Sequence, residues 1–78
     1  MSVPPTLYTS TARRVIEHVA ARTGVPATVM LAPTRRHDAV RARWRAMRLL
    51  RRMHYSLPDI GYALNRDHTT VLHGLRRS

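Results

Sequence analysis

Apolar residues recur at intervals of three and four along most of the chain, the spacing that places them on one face of an α-helix. Tyr8, Ala12, Val15, Ile16 and Val19 form the first such series. It predicts a helix beginning near Thr9 or Ser10, either of which can cap an N-terminus, and ending where Gly24 supplies the left-handed C′ position. Residues 1–8, with Pro4 and Pro5, have no other periodic signal and read as a flexible lead to a domain over 9–78. Pro26 suits the first turn of a short second helix that buries Val29, Met30 and Leu31 and stops at Pro33. A long third helix is predicted from about Asp38 to His54, with Ala39, Ala42, Ala46, Leu49, Leu50 and Met53 as its apolar stripe. Ser56 is placed to cap a fourth helix, with Pro58 early and Asp59 at its positive end, running to about Asn65. Asp67 is placed to cap a fifth, from His68 to Arg77, with Val71, Leu72 and Leu75 inward. No segment alternates as a strand does, so the expected fold is all-α, a small five-helix cluster.

Charge changes this picture most. The 78 residues carry fourteen arginines, no lysine and four acidic residues, a formal net charge of +10. Arg41, Arg43, Arg45, Arg48, Arg51 and Arg52 interleave with the apolar stripe of the third helix, and Thr34-Arg35-Arg36-His37-Asp38 is a basic loop before it. So many like charges on one helix repel, and a polyanion relieves that. Trp44 is expected at the edge of this face, and Tyr8, Tyr55 and Tyr62 at the edge of the core.

Several classes drop out. With no cysteine there is no disulfide framework, thiolate metal site or cysteine nucleophile. His68 and His73 are five apart, the wrong interval for two metal ligands on one helical face. The amino-terminal residues form no secretory signal and no run of about 18 apolar residues spans a membrane. Nothing spaces serine, histidine and aspartate as a catalytic set. The expectation is a folded cytoplasmic module, not an enzyme, without cofactor or metal, whose partner is a polyanion, either nucleic acid or an acidic membrane surface. The apolar stripe of the basic helix is needed for its own core, so an acidic membrane is not the expected primary partner.

Residues 56–77 carry the strongest signal. A short helix, a tight turn at Asn65-Arg66 and a second helix opened by Asp67 outline a helix-turn-helix, in which Gly61 lets the helices cross closely and Ile60, Leu64 and Val71 pack at the crossing. The second helix starts with His68-Thr69-Thr70, short polar side chains suited to base edges, at an end whose free N–H groups suit phosphate.

Ser56-Leu57-Pro58-Asp59-Ile60-Gly61 followed by Arg66-Asp67-His68-Thr69-Thr70-Val71-Leu72-His73 resembles the signature of the carboxy-terminal DNA-binding domain of the bacterial replication initiator DnaA. The resemblance extends more weakly back to about Thr11. It implies a helix-turn-helix of the Trp-repressor type that binds short asymmetric duplex sites, the DnaA boxes, as a monomer. Carried over by position, it implies base contacts from Asp67, His68 and Thr69 in the major groove and from Pro58 against a thymine methyl. It also implies an arginine in the adjoining minor groove, with Arg41 the best match and Arg43 second, and a phosphate contact from Thr70. Charge and position add Arg35, Arg36, Arg43, Arg48, Arg66, His73 and Arg76 as phosphate contacts. Two departures stand out: Leu64-Asn65 leads directly into Arg66 where the family usually has two glycines, and the His54-Tyr55 loop is one residue short. No P-loop is present, so the expectation is a stand-alone, nucleoid-associated protein that binds double-stranded DNA and not a complete initiator. It would act on replication initiation or transcription; the alternative is a DnaA-related regulator that works by contact with the initiator or another replication protein.

Overall fold

The computed structural model describes residues 5–77, with side chains from Thr11 onward. Among them the chain forms five helices: α1 (Pro5–Thr23), α2 (Ala27–Leu31), α3 (His37–Arg52), α4 (Leu57–Leu64) and α5 (His68–Arg77). The helix start expected at Thr9 or Ser10 lies at Pro5, a residue whose fixed φ and missing N–H suit the first helical position. Tyr8 belongs to α1 by backbone, and its side chain lies outside the described set.

The helices are punctuated as their local chemistry dictates. Gly24 ends α1 at φ 78°, and its N–H donates to the Ala20 carbonyl at 2.9 Å. Pro26 precedes α2, and Val29 and Met30 donate back to its carbonyl. α3 ends at Arg52, short of the expected His54, because His54 takes a left-handed conformation at φ 69° and reverses the chain. Tyr55 N–H then closes onto the Leu50 carbonyl at 3.2 Å, and Arg51 donates to the Tyr55 carbonyl at 2.9 Å. The short connection is therefore made by a histidine in a region that a non-glycine residue enters only at some cost.

α3 is the central element and packs against all four others. Its buried positions are Ala39, Ala42, Arg43, Ala46, Met47 and Leu50, a strict three-and-four series. Met47 replaces Met53 of the expected stripe; Met53 lies past the helix end and is 43% exposed. Alanines on this face let the neighbouring helices approach closely. Val19, Met30, Met47, Leu50, Ile60, Leu64 and Val71 are fully buried and tie α1, α2, α4 and α5 to it. Leu72 and Leu75 are half-buried. At the α3–α5 crossing Gly74 sits against Trp44 and Met47: a Cβ there would lie 2.5 Å from the Met47 sulfur and 2.8 Å from Trp44 Cδ1. Trp44 is thus half-buried against α5 and open on its other side, as its expected edge position requires.

Candidate nucleic-acid interface

The α4–turn–α5 unit is built from short polar side chains that satisfy the backbone groups a helix end leaves open. Ser56 Oγ accepts from the Asp59 N–H at 3.3 Å and donates to Asp59 Oδ2 at 2.6 Å, a reciprocal capping arrangement that sets the start of α4. Asn65 stops α4 in the left-handed region at φ 57°, ψ 45°, which asparagine adopts more readily than most residues. That single left-handed residue closes the turn, its N–H bonded back to the Tyr62 carbonyl at 3.3 Å. The Arg66 N–H donates to the Gly61 carbonyl at 2.7 Å, folding the turn over α4. Gly61 leaves no room for a side chain: a Cβ would collide with the Arg66 carbonyl oxygen.

Asp67 opens α5. Its Oδ2 accepts from the Thr69 N–H at 3.1 Å, and Oδ1 lies 3.6 Å from His68 Nδ1. Hydrogen bonds from Thr69, side chain before backbone, hold the Asp67 carboxyl below its ordinary value of 3.8. The cap is therefore ionised through the neutral range and weakens only as pH falls through that lowered value. His68, Thr69 and Thr70 stand exposed beyond it, and Thr69, His73 and Arg76 follow one another up the outer face of α5 at intervals of four and three. Pro58 is exposed at the start of α4. An open hollow of about 440 Å³ brings Arg35 of the basic loop to the same place as Asp67 and Thr70, with Trp44 and Val40 in its wall. Arg41 does not line it. It lies with Arg45 and Arg48 about a separate hollow.

Two of the expected phosphate contacts are turned inward. Arg43 is 5% exposed. Its Nε donates to the Met30 carbonyl at 2.6 Å and its Nη2 to the Ala32 and Val29 carbonyls at 2.8 and 3.3 Å. Arg66 is half-buried and donates to the Ala32 carbonyl, to Asn65 O at 2.8 Å and to Leu64 O at 3.3 Å. The reason is the carboxyl end of α2: its last carbonyls have no helical partner and carry the negative end of the dipole. Two guanidinium groups meet at Ala32, one from α3 and one from the turn before α5. Burial lowers the Arg43 pKa, and the nearby Arg66 charge adds to the effect. Spacing contained a signal for Arg43: it lies four residues after Ala39 and seven before Leu50, inside the buried stripe. No sequence signal pointed to the matching role of Arg66.

Arg36 is exposed but engaged. Its Nε and Nη2 form a bidentate pair with Asp38 at 3.2 and 2.7 Å, and this contact is the main reason the Asp38 carboxyl lies below its ordinary value. Asp38→Ala should release Arg36 and remove a negative charge beside the loop. The expected result is a two- to fivefold gain in duplex affinity at low salt, shrinking at 0.3 M salt, in a gel-shift titration. An unchanged affinity at low salt would remove Arg36 from the interface.

Among the described residues, no cluster of histidine, aspartate or glutamate could hold a metal ion, and no helix is long and apolar enough to cross a membrane. Comparison with curated proteins and with solved structures gave no match. A family model described as the bacterial dnaA protein helix-turn-helix matches residues 12–77, from Ala12 in α1 to the end of α5. Caps, turn and recognition helix are those of a DNA-binding module, and the chain belongs to the bacterial DnaA helix-turn-helix family.

Proposed function

We propose that this protein recognises short asymmetric duplex sites of the DnaA-box kind as a monomer, and regulates replication initiation or transcription by occupying them. The observation that carries this is the exposed, capped start of α5, where His68 and Thr69 add no fixed charge beside the basic loop. His68 and Thr69 read base edges in the major groove, Asp67 offers its remaining acceptor positions to a cytosine amino group, and Pro58 meets a thymine methyl. Thr70, His73 and Arg76 lie on the flanking phosphates. Arg35 and Arg36 reach the adjoining groove, a role for which the shared hollow with Asp67 and Thr70 favours Arg35 over Arg41. Phosphate contacts supply attraction and base contacts supply choice, so the two are separable by experiment.

A competition gel shift at near-physiological salt, with a DnaA-box duplex and a scrambled duplex of equal length, tests this. The box duplex should bind about 10³-fold more tightly. His68→Ala or Thr69→Ala should cost about 1–3 kcal/mol on the box duplex and leave scrambled-duplex affinity within about threefold. Equal binding of the two duplexes by the unmodified protein would sink the proposal.

A further inference from the structure

The exposed arginines of α3 do not surround the recognition helix. At 100° per residue, the buried series centred on Ala46 and Leu50 faces the core, and Arg41, Arg45, Arg48 and Arg52 fall on the opposite side of the helix. α5 covers the intervening flank at Trp44 and Met47, where Gly74 is lodged. The row therefore faces neither the core nor α5. It advances in steps of three and four residues over about 16 Å of helix. Arg22, from the last turn of α1, joins Arg41, Arg45 and Arg48 around an open hollow of about 520 Å³. This hollow shares only Trp44 with the one beside Asp67 and Thr70. Asp38 is its single carboxylate, and it is already paired with Arg36. Among the described residues, Arg22, Arg41, Arg45 and Arg52 have no acidic partner.

We propose that this row is a second nucleic-acid site, which takes the sugar-phosphate backbone of a second duplex segment while α5 holds the first. One monomer would then bridge two duplexes, or two turns of a looped one. An unbroken line of negative charge is what the row needs along its length. A duplex strand offers one phosphate per about 3.4 Å of axis, so the row spans several of them without a gap. The row offers guanidinium groups spaced along a line and no helix end aimed at a groove, which suits backbone phosphates, so the second segment is taken without regard to sequence. The inference rests on the proposed function for the first duplex.

The test immobilises a DnaA-box duplex on beads, loads the protein, and measures retention of a fluorescent scrambled duplex in solution. The unmodified protein should retain it, with retention falling steeply between 50 and 200 mM salt, on the order of tenfold or more. The Arg22→Ala/Arg45→Ala/Arg52→Ala variant should lose retention at least tenfold, while its gel-shift affinity for the box duplex stays within about threefold. Failure of the loaded protein to retain the second duplex overturns bridging and leaves the proposed function intact. Undiminished retention by the variant also overturns it, since two copies joined to each other would then be the bridge. A tenfold loss of box affinity in the variant would assign the row to the first duplex. Polyglutamate competing as well as duplex at equal charge would assign it to acidic proteins. If box and scrambled duplexes bind equally, the proposed function fails, and retention on the beads still reports whether one molecule holds two duplexes.

Discussion

Arg43→Ala should destabilise the domain by about 3–5 kcal/mol, the largest effect expected of any substitution of a charged residue in this chain. Deleting the guanidinium takes the Arg43 donor from the buried Met30 carbonyl and one of two donors from the Ala32 and Val29 carbonyls, which keep Arg66 and the Ala32 N–H. Hydrogen bonds to a charged group contribute about 1.5–3 kcal/mol each, and an unsatisfied buried acceptor costs about 1–3 kcal/mol. The truncation also removes packing at a position that is 5% exposed. Two opposing terms keep the sum below a simple addition: water can enter to reach some of the carbonyls, and the repulsion between Arg43 and Arg66 is relieved. For a domain of this size the loss corresponds to a fall in Tm of roughly 12–40 °C. Arg43→Lys keeps the charge but has neither the fork nor the reach to serve three acceptors, so it should fall between the two. Urea denaturation followed by circular dichroism measures all three proteins. If Arg43→Ala unfolds within about 1 kcal/mol of the unmodified protein but binds all duplexes more weakly, Arg43 is a phosphate contact after all.

Gly61→Ala should lower affinity for the box duplex by on the order of 100-fold, with scrambled-duplex affinity changed by less than about threefold. The added methyl meets the Arg66 carbonyl oxygen, a backbone atom and not a movable side-chain end. The same residue is pinned through its own N–H, which donates to the Gly61 carbonyl at 2.7 Å, and by left-handed Asn65 before it. Relief therefore requires α5 to swing away from α4, which carries Asp67, His68 and Thr69 off the position their cap gives them. Overpacking of this kind costs typically about 1–3 kcal/mol in stability. Net charge is untouched, so the phosphate term survives in both duplexes. Circular dichroism should show helix content close to that of the unmodified protein at 10 °C, which separates a displaced helix from a lost one. Unchanged discrimination between box and scrambled duplexes would show that the α4–α5 crossing angle does not set recognition.

These two positions mark the limit of what was legible beforehand. Gly61 could be read from its neighbours: it falls between a capped helix start and a turn, where two helices must cross. Ser56, Asn65 and Asp67 were legible for the same reason. Each acts on backbone groups one to three residues away, so a local stretch of chain contains both partners of the interaction. The start of α1 and the inclusion of Met53 in the core were misread at helix ends, where propensity decides little and a single residue can turn the chain. His54 is that residue for α3.

Arg43 and Arg66 were read as DNA contacts because their charge was visible and their partners were not. The carbonyl they share belongs to Ala32, 11 residues from Arg43 and 34 from Arg66, and nothing local announces that the carboxyl end of α2 arrives there. Sequence by itself determined the all-helical class, the five helices, the caps of α4 and α5, the family, and the side chains offered at the start of α5, because each follows from short-range geometry or from an uninterrupted motif. Only the tertiary structure decided how the fourteen arginines are divided: two hold the frame, Arg35 of the loop lies beside the start of α5, and a row lies on the far side of α3. Charge is a property of the residue, but what it acts on is set by which elements pack together, and packing is decided by burial across the whole chain.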